Sequence, residues 1–294
     1  PSEAHAGLQN GWNNDRAYSD PAISPRAAYD FTRDQYQFEQ VVIYHTIDSV
    51  QRYAHGLGFT ESNVPPNPLY DRTGNGVTDA IPVNAHSFKT DPGQTAGGLN
   101  AFCTAGGTAL HFGEGAAAGM HWSGVTDSAD LGEDGDVVAH EYGHAILFAA
   151  GHWKAALDTQ GVDERGAIHE GFSDYLALAF FQEEYDSKNL WPAASLGDNV
   201  RIGAMGEWSF YPIYGPAGDP NIRSPGNPWY GLRFIDWTYS KQYPGDWVTQ
   251  VHTDGKMIAT ALFQIRQQFI AARGASGGRD FDKVVFDSLF QYAA

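Results

Sequence analysis

The stretch "DVVAHEYGHAILFAAGHW", residues 136–153, predicts a helix that carries two histidines on one face. Its apolar residues follow an amphipathic helical period, yet His140, Glu141 and His144 lie in the middle of it. The two histidines are four residues apart, so their imidazoles project from the same face. Glu141 lies about 100° further round the helix. In this H-E-x-x-H pattern two histidines bind zinc and the glutamate acts on water beside the metal.

The pattern is short, and two buried structural histidines are its ordinary alternative. A second stretch, "GAIHEGFSDYLALAF" at residues 166–180, favours the metal. A catalytic zinc usually takes three protein ligands and leaves the fourth position to water, and Glu170 can be the third ligand. Asp174 follows one turn later and is placed to accept the other ring N–H of His140, which fixes the tautomer. Apolar neighbours such as Phe172 argue against a wholly solvated helix.

Composition limits the class of protein. Of the 294 residues, 42% are hydrophobic and 18% charged, which is typical of a globular chain. The formal net charge of −17 repels phosphate backbones, so we expect no nucleic-acid partner. No run approaches the roughly 18 apolar residues that a membrane span needs. The chain begins at Pro1 without an initiator Met, a start that fits a matured, secreted protein and fits a shortened chain equally.

Hydrophobic periodicity outlines the elements on either side of the motif. Residues 1–29 have no clear period and are interpreted as an extended arm or loops. Short strand-like runs separated by Gly-rich turns predict an antiparallel sheet at residues 80–88, 99–104 and 108–115. A helical period, with starts near Asp254 and Asp280 for the last two segments, predicts helices at residues 30–57, 170–185, 254–273 and 280–292.

The two halves of the chain differ in character. We expect an α+β lobe at residues 1–145, ending in the zinc-binding helix, and a mainly helical lobe at residues 146–294. A junction of this kind often forms a cleft that binds a ligand. The motif helix would then line the cleft.

The motifs, taken in order, resemble a known group of enzymes. "HEYGH", then twenty-five residues, then "EGFSD", is similar to the gluzincin metallopeptidases, and in particular to the fungalysin and thermolysin families. The long spacing and the form "EG-aromatic-SD" favour fungalysin. The resemblance extends to "LNAFCTAGGTALHFGEG", "DVVAHE", "NIRSPGNP" and "VHTDGKMIATALFQI", which run in order from about residue 97 to 270. It implies a two-lobed thermolysin-like fold with the active-site cleft between the lobes.

The resemblance also implies roles for residues outside the zinc motif. Asn100 and Ala101 would hold the substrate backbone in an extended pose. Arg223 would hydrogen-bond a substrate carbonyl, and His252 would stabilise the developing oxyanion. Asp246 could orient His252. For Arg223 a surface charge and for His252 a residue at the start of a helix are the ordinary alternatives.

A pocket for the residue after the scissile bond follows from the same resemblance. Val137, one turn before Glu141, and Ile222, beside Arg223, would line it. Both are aliphatic, so we expect cleavage before hydrophobic residues and discrimination against acidic ones.

Two departures from the family pattern stand out. The thermolysin family has an oxyanion-binding Tyr between the second histidine and the third ligand, whereas residues 145–169 here contain none. Tyr239 or Tyr243 could replace it. Calcium is a second candidate ion, because Asp136 falls where a calcium ligand is expected and the segment 127–136 is rich in carboxylates. Helix-start acidity explains Asp136 almost as well.

Together these features predict a secreted, monomeric zinc endopeptidase acting on peptides or proteins. Two alternatives stay open. An aminopeptidase would need an acidic anchor for the free amine, and no motif for one is recognisable. A zinc-containing binding protein with lost or weak activity is favoured by the missing Tyr and opposed by Glu141.

Overall fold

The computed structural model describes residues 6–9, 31–32, 37–59, 81–87, 100–113, 130–150, 164–188, 204–205, 233–234 and 242–291. Within these ranges the elements are, in chain order, β1 (Ala6–Gln9), α1 (Gln37–Gly56), β2 (Ile81–Asn84), β3 (Ala101–Cys103), β4 (Leu110–Phe112), a 3₁₀ turn (Leu131–Glu133), α2 (Gly135–Ala149), α3 (Glu164–Lys188), β5 (Ala204–Met205), β6 (Arg233–Phe234), α4 (Val251–Arg273) and α5 (Ser276–Gln291). None of the described helices combines the length and the apolar character needed to cross a membrane.

A small sheet has the strand order β1-β2-β4-β3. The three predicted strand runs are present as β2, β3 and β4. Within this sheet β3 and β4 pair antiparallel, as predicted, whereas β2 is parallel to both β1 and β4, so the prediction of an antiparallel sheet is wrong for β2. The cause is the β3–β4 hairpin, in which β3 takes the outer place and β4 returns beside β2. The first strand, β1, lies within the segment interpreted as an arm or loops.

The turn between β3 and β4 depends on glycine. Gly106 and Gly107 have φ angles of 83° and 67°, a region that side chains with a Cβ adopt at a cost. The Thr104 amide donates to the Ala109 carbonyl at 2.9 Å, and the Ala109 amide donates back to the Thr104 hydroxyl at 2.7 Å. The hairpin is therefore closed from both sides, and β3 is held as the edge of the sheet.

The motif helix α2 lies inside the molecule. Every residue from Val137 to Leu147 is buried, because α1, β3 and α3 all pack against α2. A helix buried on all sides must satisfy its polar side chains within the protein. The histidines of the motif are therefore core residues whose contacts come from neighbouring elements.

Glycines permit close approach of the helices around the motif. A Cβ on Gly143 of α2 would lie 2.9 Å from Ser173 Cα of α3. At the crossing of α3 and α4, a Cβ on Gly171 would lie 2.5 Å from the Gly255 carbonyl oxygen, and one on Gly255 would lie 2.9 Å from Glu170 Cβ. Contacts below 3 Å to backbone or Cβ atoms force helices apart, so these glycines fix how near α3 comes to both neighbours.

A buried polar cluster joins four helices. Arg266 Nε of α4 lies 3.1 Å from each carboxylate oxygen of Asp282 in α5, and the hydroxyls of Tyr53 and Tyr175 donate to the same carboxylate. The pKa of both tyrosines is raised well above the ordinary value, first by burial and then by the charge of Asp282. Since α1, α3, α4 and α5 all contribute, this cluster links the helices of the two halves of the chain.

The last two helices begin earlier than expected. Helix α4 starts at Val251 rather than near Asp254, because the Gln250 side chain caps it by accepting from the Thr253 amide at 2.6 Å. Asp254 instead accepts from the amides of Val248 and Gln250 and so holds the preceding loop. Helix α5 begins at Ser276 rather than near Asp280.

The α+β class is thus confirmed for the described residues. The division into lobes at residues 1–145 and 146–294, with a cleft between them, stays a prediction.

Candidate active site

The two motif histidines face each other across one turn of α2. Their Nε2 atoms are 3.0 Å apart, and the rings meet edge to face at 88°. The spacing of four residues produces this arrangement directly, as the sequence predicted. Both imidazoles are buried.

Glu170 of α3 completes a group of three potential ligands. Its Oε2 atom is 3.3 Å from His140 Nε2, and its Oε1 atom is 3.6 Å from His144 Nε2. Tetrahedral zinc with bonds of about 2.0–2.1 Å holds neighbouring ligand atoms about 3.3–3.4 Å apart. The separations of 3.0, 3.3 and 3.6 Å, the last two to different oxygens of Glu170, lie on either side of that value, and two imidazoles with one carboxylate are a donor set that zinc favours. The residues present therefore fit a zinc ion.

Asp174 contacts the far side of the first histidine. Its Oδ1 atom is 2.8 Å from His140 Nδ1, and its side chain is 0% exposed. A carboxylate here accepts the Nδ1–H proton and leaves the Nε2 lone pair directed at the space shared with His144 and Glu170. The contact is the one that the predicted role of Asp174 requires, and the role itself stays a prediction.

The second histidine has supports that sequence analysis missed. His144 Nδ1 lies 2.6 Å from His169 Nδ1 and 3.1 Å from Ser173 Oγ, and the His169 ring stacks on that of His144. His169 and Ser173 are four residues apart on α3, one position before Glu170 and Asp174 respectively. The sequence carried a signal for this contact. Residues 169 and 173 repeat the four-residue spacing of Glu170 and Asp174 one position earlier, so side chains of α3 at that spacing can contact histidines one turn apart on α2.

Glu141 is buried beside these ligands. One side-chain atom each from His140, Glu141 and His144 lies within 4.8 Å of the others, a group that could hold or border a metal ion. If Glu170, at 3.3 and 3.6 Å from the two histidine nitrogens, is the third ligand, Glu141 is available to act on water next to the ion.

His252 approaches from the first turn of α4. Its Nε2 atom is 3.4 Å from Glu170 Oε1, and its side chain is 47% exposed. The side-chain Nε2 atom of Gln250 lies 2.9 Å from His252 Nδ1. Asp246, predicted to orient His252, accepts from the Gln242 amide at 2.9 Å and so closes the turn before α4. Gln250, which sequence analysis did not select, therefore contacts Nδ1, and the orienting role of Asp246 stays a prediction.

The predicted substrate-binding residues are placed unevenly. Asn100 is exposed and precedes β3, and Ala101 begins that edge strand. Val137 is buried in the core on α2, one turn before Glu141. Ile222 and Arg223 lie outside the described residues, so their roles stay predictions.

The two departures from the family pattern have partial answers. The Tyr243 hydroxyl donates to Glu164 at the start of α3, and Tyr239 lies outside the described residues. Asp136 lies in the first turn of α2, where Asp134 is the N-cap and accepts from the Asp136 amide at 3.2 Å. Among the described residues, the groups able to hold a metal do not include Asp136. Calcium stays a prediction.

Comparison with known proteins bears on identity directly. The profile of the fungalysin metallopeptidase family matches residues 9–288, nearly the whole chain. A search of curated proteins found no match. The matched region contains every ligand, support and capping residue described above. The chain therefore belongs to the fungalysin metallopeptidase family.

Proposed function

We propose that this protein is a zinc-dependent endopeptidase that hydrolyses peptide bonds before hydrophobic residues. The observation that carries the proposal is the spacing of 3.0, 3.3 and 3.6 Å among His140 Nε2, His144 Nε2 and the Glu170 carboxylate, with Glu141 beside them. His140, His144 and Glu170 would hold the zinc ion. When bound, zinc lowers the pKa of water towards about 7 and polarises a carbonyl group.

Glu141 would act as the general base and then as the general acid. It would take a proton from the attacking water and deliver it to the leaving amine, a transfer typically worth about 10²–10⁴-fold in rate. Asp174 supports this chemistry by holding His140 in the tautomer whose Nε2 is free to bind a metal.

His252 would donate a hydrogen bond to the oxyanion of the tetrahedral intermediate. The tautomer follows from the contacts of Gln250. The Gln250 Oε1 atom accepts from the Thr253 amide, so the Nε2 amide group is the one that faces His252 Nδ1 and donates to it. The proton of a neutral His252 must then be on Nε2, which is the nitrogen nearer Glu170. That N–H is a preorganised donor of the kind that stabilises developing negative charge.

The substrate would bind as an added strand. Because β3 is the edge of the described sheet and packs against α2, an extended peptide could pair with Ala101 and contact Asn100. Arg223 would hold a substrate carbonyl, and Val137 and Ile222 would line the pocket after the cut. An internal strand pairing of this type suits cleavage within a chain, which distinguishes the proposal from an aminopeptidase.

The test compares Glu141→Gln with Glu184→Gln in protein containing zinc. Glu184 lies fourteen residues beyond Glu170 on α3, about 21 Å along the helix. Glu141→Gln should lose proteolysis while retaining zinc, and Glu184→Gln should retain both. Mass spectrometry maps the cut sites in a mixed peptide library, with and without chelator. The positions of the cuts show whether the protein acts as an endopeptidase or as an aminopeptidase. Removal of single residues from free N-termini would identify an aminopeptidase, and zinc binding without cleavage would identify a binding protein.

Secretion and a monomeric state belong to the same proposal. They follow from the family resemblance, and they are tested by culture-medium fractionation and by sedimentation.

A further inference from the structure

A second cluster of metal-binding side chains lies apart from the zinc motif. Glu39, His86 and Asp130 each offer one ligand atom, and the three atoms lie within 4.8 Å of one another. Glu39 Oε2 is 3.0 Å from His86 Nε2. The residues are only 4%, 8% and 8% exposed. A buried histidine, glutamate and aspartate whose ligand atoms lie this close together form a donor set for a divalent cation.

Three separate parts of the fold bring these side chains together. Glu39 lies on the buried face of α1, one turn before Ile43. His86 follows β2, where the next residue's amide donates to the Phe112 carbonyl at 2.8 Å. Asp130 immediately precedes the 3₁₀ turn, and its own carbonyl accepts from the Glu133 amide at 3.0 Å. Each side chain is therefore presented by backbone that is already held.

A glycine allows the close approach that the cluster needs. A Cβ on Gly132 would lie 2.7 Å from Ile43 Cδ1 and 3.8 Å from Glu39 Cβ. Because Gly132 has no Cβ, the 3₁₀ turn can lie directly against α1, with Asp130 next to Glu39. The chain thus accommodates two buried carboxylates at short range, although like charges repel and burial disfavours their ionised forms.

A divalent cation suits this set of side chains. It would offset the charge of both carboxylates and take a neutral His86 as a nitrogen ligand. Calcium takes six to eight oxygen ligands, so a mixed set of one imidazole and two carboxylates favours zinc or manganese. We propose that Glu39, His86 and Asp130 form a second site for a divalent transition-metal ion, which joins α1 to the segment leading into α2.

The site would act on stability and not on catalysis. Its ligands come from α1, from the second residue after β2 and from the residue that precedes the 3₁₀ turn, so an ion there would tie these parts together ahead of the zinc helix. Its occupancy can be measured without any peptidase assay, which separates its failure from that of the proposed function.

The experiment counts zinc per chain by mass spectrometry after chelation, reloading with Zn²⁺ and desalting. Wild-type protein should retain about two ions, and His86→Ala and His144→Ala about one each. A wild-type content of one ion that His86→Ala leaves unchanged would overturn the proposal.

A second measurement keeps the test decisive if His86→Ala does not fold. In the His144→Ala background, Zn²⁺ at a hundredfold excess over Kd should raise the melting temperature by about 5–10 °C. Adding Glu39→Gln should abolish that shift, whereas adding Glu133→Gln, in the neighbouring turn, should preserve it. No shift in the His144→Ala protein, or a shift with Ca²⁺ and none with Zn²⁺ or Mn²⁺, would contradict the proposed site.

Discussion

The close crossing of α3 and α4 predicts that Gly255→Ala disturbs the active site, although Gly255 itself has no side chain that could bind metal or substrate. The new Cβ would lie 2.9 Å from Glu170 Cβ, 3.0 Å from the Ala167 carbonyl oxygen and 3.0 Å from the Gly171 amide nitrogen. None of these atoms is the far end of a flexible side chain. Relief to an ordinary contact of at least 3.4 Å requires α4 to move away from α3 by about 0.5 Å or more.

The magnitude follows from two opposing terms. Overpacking of this kind costs about 1–3 kcal/mol, and replacing a helical glycine by alanine returns about 1 kcal/mol. A net loss of up to about 2 kcal/mol should lower the melting temperature by roughly 4–8 °C. The movement carries His252 away from Glu170, a pair now 3.4 Å apart, and a misplacement approaching 1 Å can cost about 10²-fold in rate.

The assay measures kcat/KM on one peptide together with the melting temperature and the zinc content. Gly255→Ala should lose about 10- to 100-fold in kcat/KM. Gly245→Ala is the matched control, because its Cβ would meet only the Gln242 carbonyl oxygen at 3.8 Å, and it should behave like the wild type. A Gly255→Ala protein with kcat/KM within twofold of the wild type would refute the idea that this crossing sets the geometry of the site.

Four other changes probe separate contacts. Asp174→Asn should weaken zinc affinity about 10- to 100-fold, measured by competition with a chelator, because it disturbs the acceptor that fixes the His140 tautomer. Gln250→Ala should lower kcat more than it raises KM, since the lost contact orients a transition-state donor; equal kinetics would contradict the assigned tautomer. Asp282→Ala should destabilise the protein by about 3–5 kcal/mol in urea unfolding, because it leaves the buried guanidinium of Arg266 without its carboxylate partner. Burial lowers the pKa of His111 below its ordinary 6.5, so the unfolded chain binds the proton more readily than the folded chain. The contribution of neutral His111 to the free energy of unfolding should be fully present above pH 6.5 and should decline as the pH falls towards the folded-state pKa. His111→Gln should reduce that decline.

Local patterns in the sequence predicted the helices and most of the zinc site. A spacing of four residues determines that His140 and His144 share a face, and the same period puts Asp174 one turn after Glu170. Helix α1 was predicted from its apolar spacing, and Ile47, Val50 and Tyr53 of the predicted face are buried. These features depend on neighbours within one or two turns, which is the range over which sequence period carries information.

Contacts between distant segments were not predictable in the same way. The direction of β2 relative to its neighbour depends on which strand of the β3–β4 hairpin pairs with β2, and no local pattern encodes that choice. Glu39 occupies a buried position on α1 that its polarity would not suggest. In each case the partner lies outside the window over which local patterns operate.

The division of the zinc site between two helices has a consequence for populations of the protein. The histidines lie on α2, whereas Glu170, Asp174 and Ser173 lie on α3, so an ion held by both also acts as a removable cross-link between them. A copy that has lost its ion lacks that link and should open locally more often. If loaded copies are peptidases, they will cut such opened copies first. A mixed solution should therefore become enriched in metal-loaded protein with time, because the metal-free copies are degraded.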